Sequence, residues 1–245
     1  GAGRDVGGLG AMSVDCRIIL PIQEPAAGAE RSILLRSPEP RALQRVLGGL
    51  LDLVYPPHCF CCGAPLAAGP NGYLCARCME SINVLKGRSC IRCAHPGRAD
   101  METGCGQCRA RALKFDAAVA AVEFTEATRA LIHALKYDGV KRLAEPLALL
   151  MVAALENVDW SVHMVCPVPL HRRRLQERGY NQSALLARAL AERMKWEFCE
   201  EAISRVRETE TQTHLNAQQR RENVAGAFAV TPAQVEGRCV VVVDD

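Results

Sequence analysis

Eight cysteines carry the clearest chemistry in the chain: Cys59 with Cys62, Cys75 with Cys78, Cys90 with Cys93, and Cys105 with Cys108, each pair enclosing two residues. Two intervening residues let a tight turn aim both sulfurs at one tetrahedral ion. A second knuckle alongside then completes the four-thiolate shell that zinc favours. Twelve residues separate the first two pairs and eleven the last two, so the stretch reads as one unit used twice. Gly63, Gly104 and Gly106 lie beside the pairs, where turns need small residues. A stretch with so few large apolar side chains cannot fold on burial alone, whereas structural zinc supplies folding free energy directly. Four ligands per ion close the site, which suits a structural or recognition role and not hydrolysis. The spacing also admits a nested arrangement in which the first pair meets the fourth, and Cys61 offers a second register beside Cys62. One zinc ion or two are therefore both compatible. A thioredoxin-type redox pair would open a helix in a βαβ unit, which none of these pairs does. Cys16, Cys61, Cys166, Cys199 and Cys239 lack ligand spacing and read as core.

Two further constellations lie toward the carboxyl end. Asp244 and Asp245 close the run Val240 to Val243, which reads as a strand buried on both faces in a parallel α/β sheet. Ligands of open α/β sheets sit just beyond the carboxyl ends of the strands, so paired acids there are candidates for sugar hydroxyls or a metal. The bland alternative is that they solvate a strand tip. Upstream, the stretch His171 to Gln182 packs Arg172, Arg173, Arg174, Arg178, Gly179 and Asn181 between a strand end and a helix. That setting favours anions, through arginine forks and the positive end of the following helix. His171, Arg172, Arg178, Gly179 and Asn181 are the candidate phosphate or pyrophosphate ligands; a solvated basic face is the competing reading. Lys136 and Tyr137 end another expected helix, where Lys136 fits a cation complementing the carbonyl terminus.

The elements that must position these groups follow from periodicity. Gly1 to Pro40 shows no sustained period and is expected to be a disordered or artefactual leader, with Met12 an alternative start. Residues 41–109 comprise an amphipathic helix, with Leu43, Val46, Leu47, Leu50, Leu51 and Val54 on one face, and then the cysteine repeat. Residues 110–245 form the second domain. There Ala117 to Phe124 reads as a strand, Ala127 to Tyr137 and Leu143 to Leu155 as helices, Met164 to Val168 as a strand stopped by prolines, and Gln182 to Trp196 as a helix. The polar stretch between Phe198 and Phe228 is an excursion over the sheet, either a hood or an insertion.

Composition narrows the classes. The chain is 49% hydrophobic and 23% charged, with a net charge of +3, so no broad positive field favours duplex binding. Its apolar runs are too short to span a membrane and its first residues do not form an export signal. Thirteen cysteines without such a signal point to metal and reduced thiols in the cytoplasm.

Taken together, the sequences Pro167-Val168-Pro169-Leu170-His171 and Arg178-Gly179-Tyr180-Asn181-Gln182 resemble the ComF (GntX-like) family. Gln212 with Leu215, Arg220 through Asn223-Val224, Ala227-Phe228 and Val243-Asp244-Asp245 add to the likeness in the same order. The resemblance spans roughly residue 43 to the end and implies an α/β, type I phosphoribosyltransferase-like parallel sheet with an N-terminal double zinc ribbon. It further implies that Asp244 and Asp245 hold the ribose hydroxyls of phosphoribosyl diphosphate, directly or through Mg²⁺, while Arg178, Gly179 and Asn181 fall where related enzymes bind pyrophosphate. A phosphate-gripping Thr-Thr-Gly is expected shortly after Asp245, so the chain reads as a fragment. The resemblance implies a phosphoribosyltransferase linked to DNA uptake and natural competence. The alternative it leaves is a non-catalytic adaptor that senses the ligand and docks single-stranded DNA or uptake proteins.

Overall fold

The computed structural model describes residues 57–66, 73–85, 90, 92–95, 104–109, 113, 115–156, 158, 160–209 and 216–245. The expected leader, the helix expected from Arg41 to Val54, Cys16, Gln212 and Leu215 lie outside the described residues. In chain order the elements are α1 (Ala76–Glu80), α2 (Gly106–Arg109), α3 (Glu126–Tyr137), a 3-10 turn (Lys141–Leu143), α4 (Ala144–Leu155), β1 (Met164–Pro167), α5 (Arg172–Arg178), α6 (Gln182–Met194), β2 (Glu197–Phe198), β3 (Ile203–Arg205), α7 (Ala217–Val224), β4 (Phe228–Val230), α8 (Pro232–Val235) and β5 (Val240–Val243). No helix among the described residues is long and apolar enough to cross a membrane.

The sheet is parallel, with β1 between β2 and β5, and Pro167 stands opposite Val243 at its carboxyl edge. The chain is thus a mixed α/β protein with a parallel sheet behind two cysteine clusters, which is consistent with a phosphoribosyltransferase-like fold. β3 and β4 pair antiparallel as a separate ribbon, the excursion expected after Phe198.

The strand buried on both faces is β1, all four residues of which are buried, and not β5 as its four valines suggested. The period of two explains the difference. Val243 belongs to the helix-side core with Val165, and Val241 packs against it. Val240 faces a thin layer of Met164, Cys166, Ala202 and Val235. That layer does not cover Val242, which stays 50% exposed.

Helix-side packing unites the molecule. Leu131, Leu135, Leu147, Leu150, Leu186 and Leu190 of α3, α4 and α6 share one buried cluster with Cys59, Leu74 and Cys78 of the first cysteine unit. The expected strand over Ala117 to Phe124 is not one. It is an extended segment holding a single bridge, Val84 to Val122, with Leu85 N–H donating to the Ala121 carbonyl (3.1 Å) and Glu123 N–H to the Asn83 carbonyl (3.0 Å). Only Val119 and Val122 of the segment pack against the core, and Phe124 stays 77% exposed. Thr125 then caps α3, its hydroxyl accepting from Thr128 N–H at 3.3 Å.

Candidate functional site

The eight paired cysteines fall into two tetrads, Cys59, Cys62, Cys75 and Cys78, then Cys90, Cys93, Cys105 and Cys108. Sequential pairing replaces the nested alternative, and Cys61 stands outside both sets. Cys62 and Cys75 sulfurs lie 3.7 Å apart, Cys90 and Cys108 3.6 Å, and Cys93 and Cys105 3.6 Å. Zn–S bonds of about 2.3 Å in a tetrahedron give edges of about 3.8 Å, so the donor sets fit zinc. Burial raises the Cys59 thiol, yet backbone N–H groups of Cys62, Cys75 and Cys61 outweigh it and hold Cys59 down to about 6. Cys90 is held at about 6 in the same way by Cys105, Arg92 and Cys93, while the neighbouring Cys93 thiol, then burial, push Cys108 up to about 12. Thiols that compete for protons so closely release them when metal binds.

The second centre lies at the carboxyl edge of the sheet. Because Val168 N–H donates to the Val243 carbonyl at 2.9 Å, β1 and β5 end level and Asp244 and Asp245 emerge there. The Ser183 hydroxyl, fully buried in the first turn of α6, donates to Asp244 Oδ1 at 3.0 Å. Lys136, in the last turn of α3, forms an ion pair with Asp245. Asp244 is raised above the usual carboxylate range, first by burial and then by the adjacent Asp245, although its outer side remains open to solvent.

The arginine-rich stretch is more ordered than expected of a loop, because seven of its residues form α5. His171 caps that helix, with Nδ1 accepting from Arg173 N–H at 3.4 Å, and Gly179 ends it in the left-handed conformation at φ 76°. The charged, good helix-forming run Arg172 to Arg178 favours this outcome. Arg172 is exposed in the first turn. Arg178 hydrogen-bonds Gln182 and stacks on Tyr137 with its guanidinium carbon 5.2 Å from the ring centre. Asn181, a candidate phosphate ligand, has both ends of its side chain engaged: its carbonyl oxygen accepts from Ser183 N–H (3.0 Å), while its amide donates to the Val168 carbonyl (3.0 Å). The carbonyl end caps α6 and the amide end joins that helix start to the residue following β1, beside the Ser183–Asp244 bond.

Lys136, Tyr137, Gly139, Arg174, Glu177, Arg178 and Tyr180 line an open cleft reached from Asp245 through Lys136. Tyr180, whose hydroxyl donates to the Leu135 carbonyl, ties this cleft to α3, and Lys141 lies 4.8 Å from its ring centre. Sequence reasoning assigned Lys136 to its own helix end and did not anticipate its bond to Asp245. The sign of both charges was legible, but a partner more than a hundred positions away was not. Cys166 is buried, as expected of a core thiol, and burial pushes it up to about 11.

Comparison with known proteins adds to this geometry. Residues 50–109 match the double zinc ribbon domain. The chain is 32% identical over 198 residues to the DNA utilization protein YhgH of Escherichia coli O157:H7, covering 79% of this chain and 86% of that protein. It is also 29% identical over 198 residues to competence protein F of Haemophilus influenzae, covering 77% and 83% respectively. No solved structure matches.

Proposed function

Because the chain belongs to the ComF-like family, we propose that it binds phosphoribosyl diphosphate with Mg²⁺ beside Asp244 and Asp245 and acts in DNA uptake as a phosphoribosyltransferase. The observation that carries this reading is the meeting, at one sheet edge, of the acid pair, the first turn of α6 and the Lys136–Arg178–Tyr180 cleft. Residues 41–109 serve as the zinc-bound part and residues 110–245 as the ligand-binding part, in the cytoplasm.

Adjacent carboxylates supply hard oxygen donors suited to Mg²⁺ or to ribose hydroxyls. Asp244 and Asp245 would hold that end of the ligand, and bound Mg²⁺ would neutralise phosphate charge. His171, Arg172, Arg178 and Gly179 face the diphosphate side, while Asn181 fixes the helix that carries Ser183. Transfer from such a ligand needs an oriented ribose and charge neutralisation on the departing diphosphate, so positioned cations suffice and no protein nucleophile is required. Titration calorimetry on the full chain is expected to show Mg²⁺-dependent binding of phosphoribosyl diphosphate, weakened by Asp245→Asn. No heat in either protein would defeat the proposal.

A second reading, a non-catalytic adaptor, rests on the zinc-bound part. There Phe60 and Tyr73 stack at 6.3 Å between ring centres, and Arg142 covers Tyr73 at 5.4 Å. Rings engaged in this joint are poor platforms for single-stranded DNA, which favours an uptake protein as the adaptor's partner. Ligand binding without turnover on any acceptor would select this second reading.

A further inference from the structure

At the acid pair, a lysine stands where the proposed ligand would bring a divalent cation. Lys136 sits in the last turn of α3, a place where a cation ordinarily complements the carbonyl ends of its own helix. Its side chain crosses instead to Asp245, more than a hundred positions away, and forms an ion pair with it. The acid nearest in sequence, Asp138, lies 3.7 Å from His133 Nδ1. The Asp245 side chain is only 7% exposed, and an ionised carboxylate so enclosed is tolerated only with a counter-charge beside it.

The two carboxylates are held in different ways. Asp244 accepts from the Ser183 hydroxyl at 3.0 Å, a neutral contact that orients the group, and its outer side is open to solvent. Asp245 is neutralised by a charge of the same sign as any metal ion that would bind there. A cation therefore engages Asp245 in full only as Lys136 leaves. The lysine has somewhere to go: its side chain is 26% exposed and lines the open cleft together with Arg174 and Arg178. The acid of that lining, Glu177, is engaged by Arg173 Nε at 3.0 Å. An ammonium on a four-carbon stem turns readily, whereas the frame around it is tied down. The Tyr180 hydroxyl donates to the Leu135 carbonyl, and the Tyr137 ring meets the His133 ring at 4.8 Å between centres and the Arg178 guanidinium carbon at 5.2 Å.

We propose that Lys136 is an internal counter-ion that exchanges partners: it holds the place of the divalent cation at Asp245 in the empty protein and, when a cation takes that carboxylate, turns into the cleft to meet a phosphate oxygen. This rests on the reading of Asp244 and Asp245 as a phosphoribosyl diphosphate site. The exchange makes the two binding events reinforce each other, since a cation at Asp245 frees Lys136 for phosphate and a phosphate in the cleft draws Lys136 off Asp245. A Lys136 that only stabilises the fold stays on Asp245 in both states and adds nothing in the cleft.

The test uses the zinc-loaded full chain with two probes: Mn²⁺ as a paramagnetic stand-in for Mg²⁺, read by water proton relaxation, and inorganic pyrophosphate without added divalent metal, read by titration calorimetry. Lys136→Gln is expected to tighten Mn²⁺ binding by about fivefold or more, because a like charge has left the site, and to weaken pyrophosphate binding by about tenfold. Lys136→Met, which keeps the apolar stem, should move both affinities in the same directions even where the glutamine variant is destabilised. Lys136→Arg, which keeps the charge, should stay closer to the parent in both. Tighter Mn²⁺ binding with pyrophosphate affinity within about twofold of the parent would mark a fixed counter-ion and overturn the exchange. Mn²⁺ affinity unmoved in both neutral variants, or a parent that takes no pyrophosphate, would overturn it as well. Phosphoribosyl diphosphate titrated with Mg²⁺ separates this proposal from the reading it rests on. Opposite shifts in the neutral variants, with no phosphoribosyl diphosphate binding by the parent, would uphold the exchange and sink the ligand reading. Phosphoribosyl diphosphate binding beside unshifted Mn²⁺ and pyrophosphate affinities would do the reverse.

Discussion

The two cysteine tetrads have four thiols each, the same two-residue spacing within each pair and sulfurs 3.6–3.7 Å apart, yet they are seated differently. Cys59 and Cys78 lie in one buried cluster with Leu74, Ala127, Leu131 and the α4 and α6 leucines, and Tyr73 carries the contact outward to Arg142. Cys90 and Cys108 are as deeply buried, but neither belongs to a core cluster among the described residues. Their cover is local: Cys90 N–H donates to the His95 carbonyl at 2.9 Å, and a Cβ at Gly104 would come within 3.2 Å of both Arg92 and Cys108. Identical metal chemistry can thus serve either as part of a shared hydrophobic core or as a substitute for one.

That comparison is most sharply tested by removing one ligand from each tetrad. Cys59→Ser should lower the unfolding free energy of the whole chain by about 3–5 kcal/mol or more, a share of the ~10–16 kcal/mol that a structural zinc contributes. The fluorescence of Trp160 and Trp196, both packed on that core, should report the loss in urea. Cys90→Ser should lose a zinc ion yet leave the tryptophan transition in place. Equal shifts in the two variants would show that the tetrads are seated alike.

A smaller effect is expected at the joint itself. Tyr73→Ala removes the Phe60 stack and the Arg142 cation contact and should cost about 2 kcal/mol in the same transition. Tyr73→Phe keeps the ring, loses only the long 3.5 Å bond to the Arg142 carbonyl, and should be near neutral. A large loss in the phenylalanine variant would relocate the joint from the ring to the hydroxyl.

The smallest effect contrasts the seated tetrad with the acid pair at the far end of the same core. A carboxyl whose folded pKa is raised favours folding while protonated; the benefit is complete below the unfolded carboxylate range and lost as pH rises through the raised value. Ionised Asp244 therefore weakens the fold at neutral pH. Asp244→Asn, which retains an acceptor for Ser183, should raise the thermal midpoint near pH 7, with the difference closing toward about pH 4. A lowered midpoint at neutral pH would mean that the carboxylate is matched in the folded protein.

Much of this architecture was readable beforehand where it depends on neighbours in sequence. The two-residue spacing of each cysteine pair, the helix stop at Asp138 and Gly139, and the proline-ended strand at Met164 all rest on local backbone preferences. The strand expected from Ala117 to Phe124 failed because β-propensity describes a surface awaiting cover without saying which surface supplies it. Within the candidate site, Asp244, Asp245 and Arg178 were legible from type and place. The ion pair of Lys136 with Asp245 was not, since a cation at a helix end reads as complementing its own carbonyl terminus until the fold brings the two together.

The amino-acid sequence by itself determined that thiolates would come in chelating pairs, that a parallel sheet would end in two acids, and that an arginine-rich segment would precede a capped helix. Each follows from spacing within one turn or strand, where the chain cannot place its groups far apart. Only the tertiary structure decided which pairs share an ion, that Lys136 meets Asp245, that both ends of the Asn181 side chain are engaged within the fold, and that one tetrad joins the core while the other does not. Those outcomes depend on how distant surfaces pack, and packing chooses among partners that local sequence leaves equivalent.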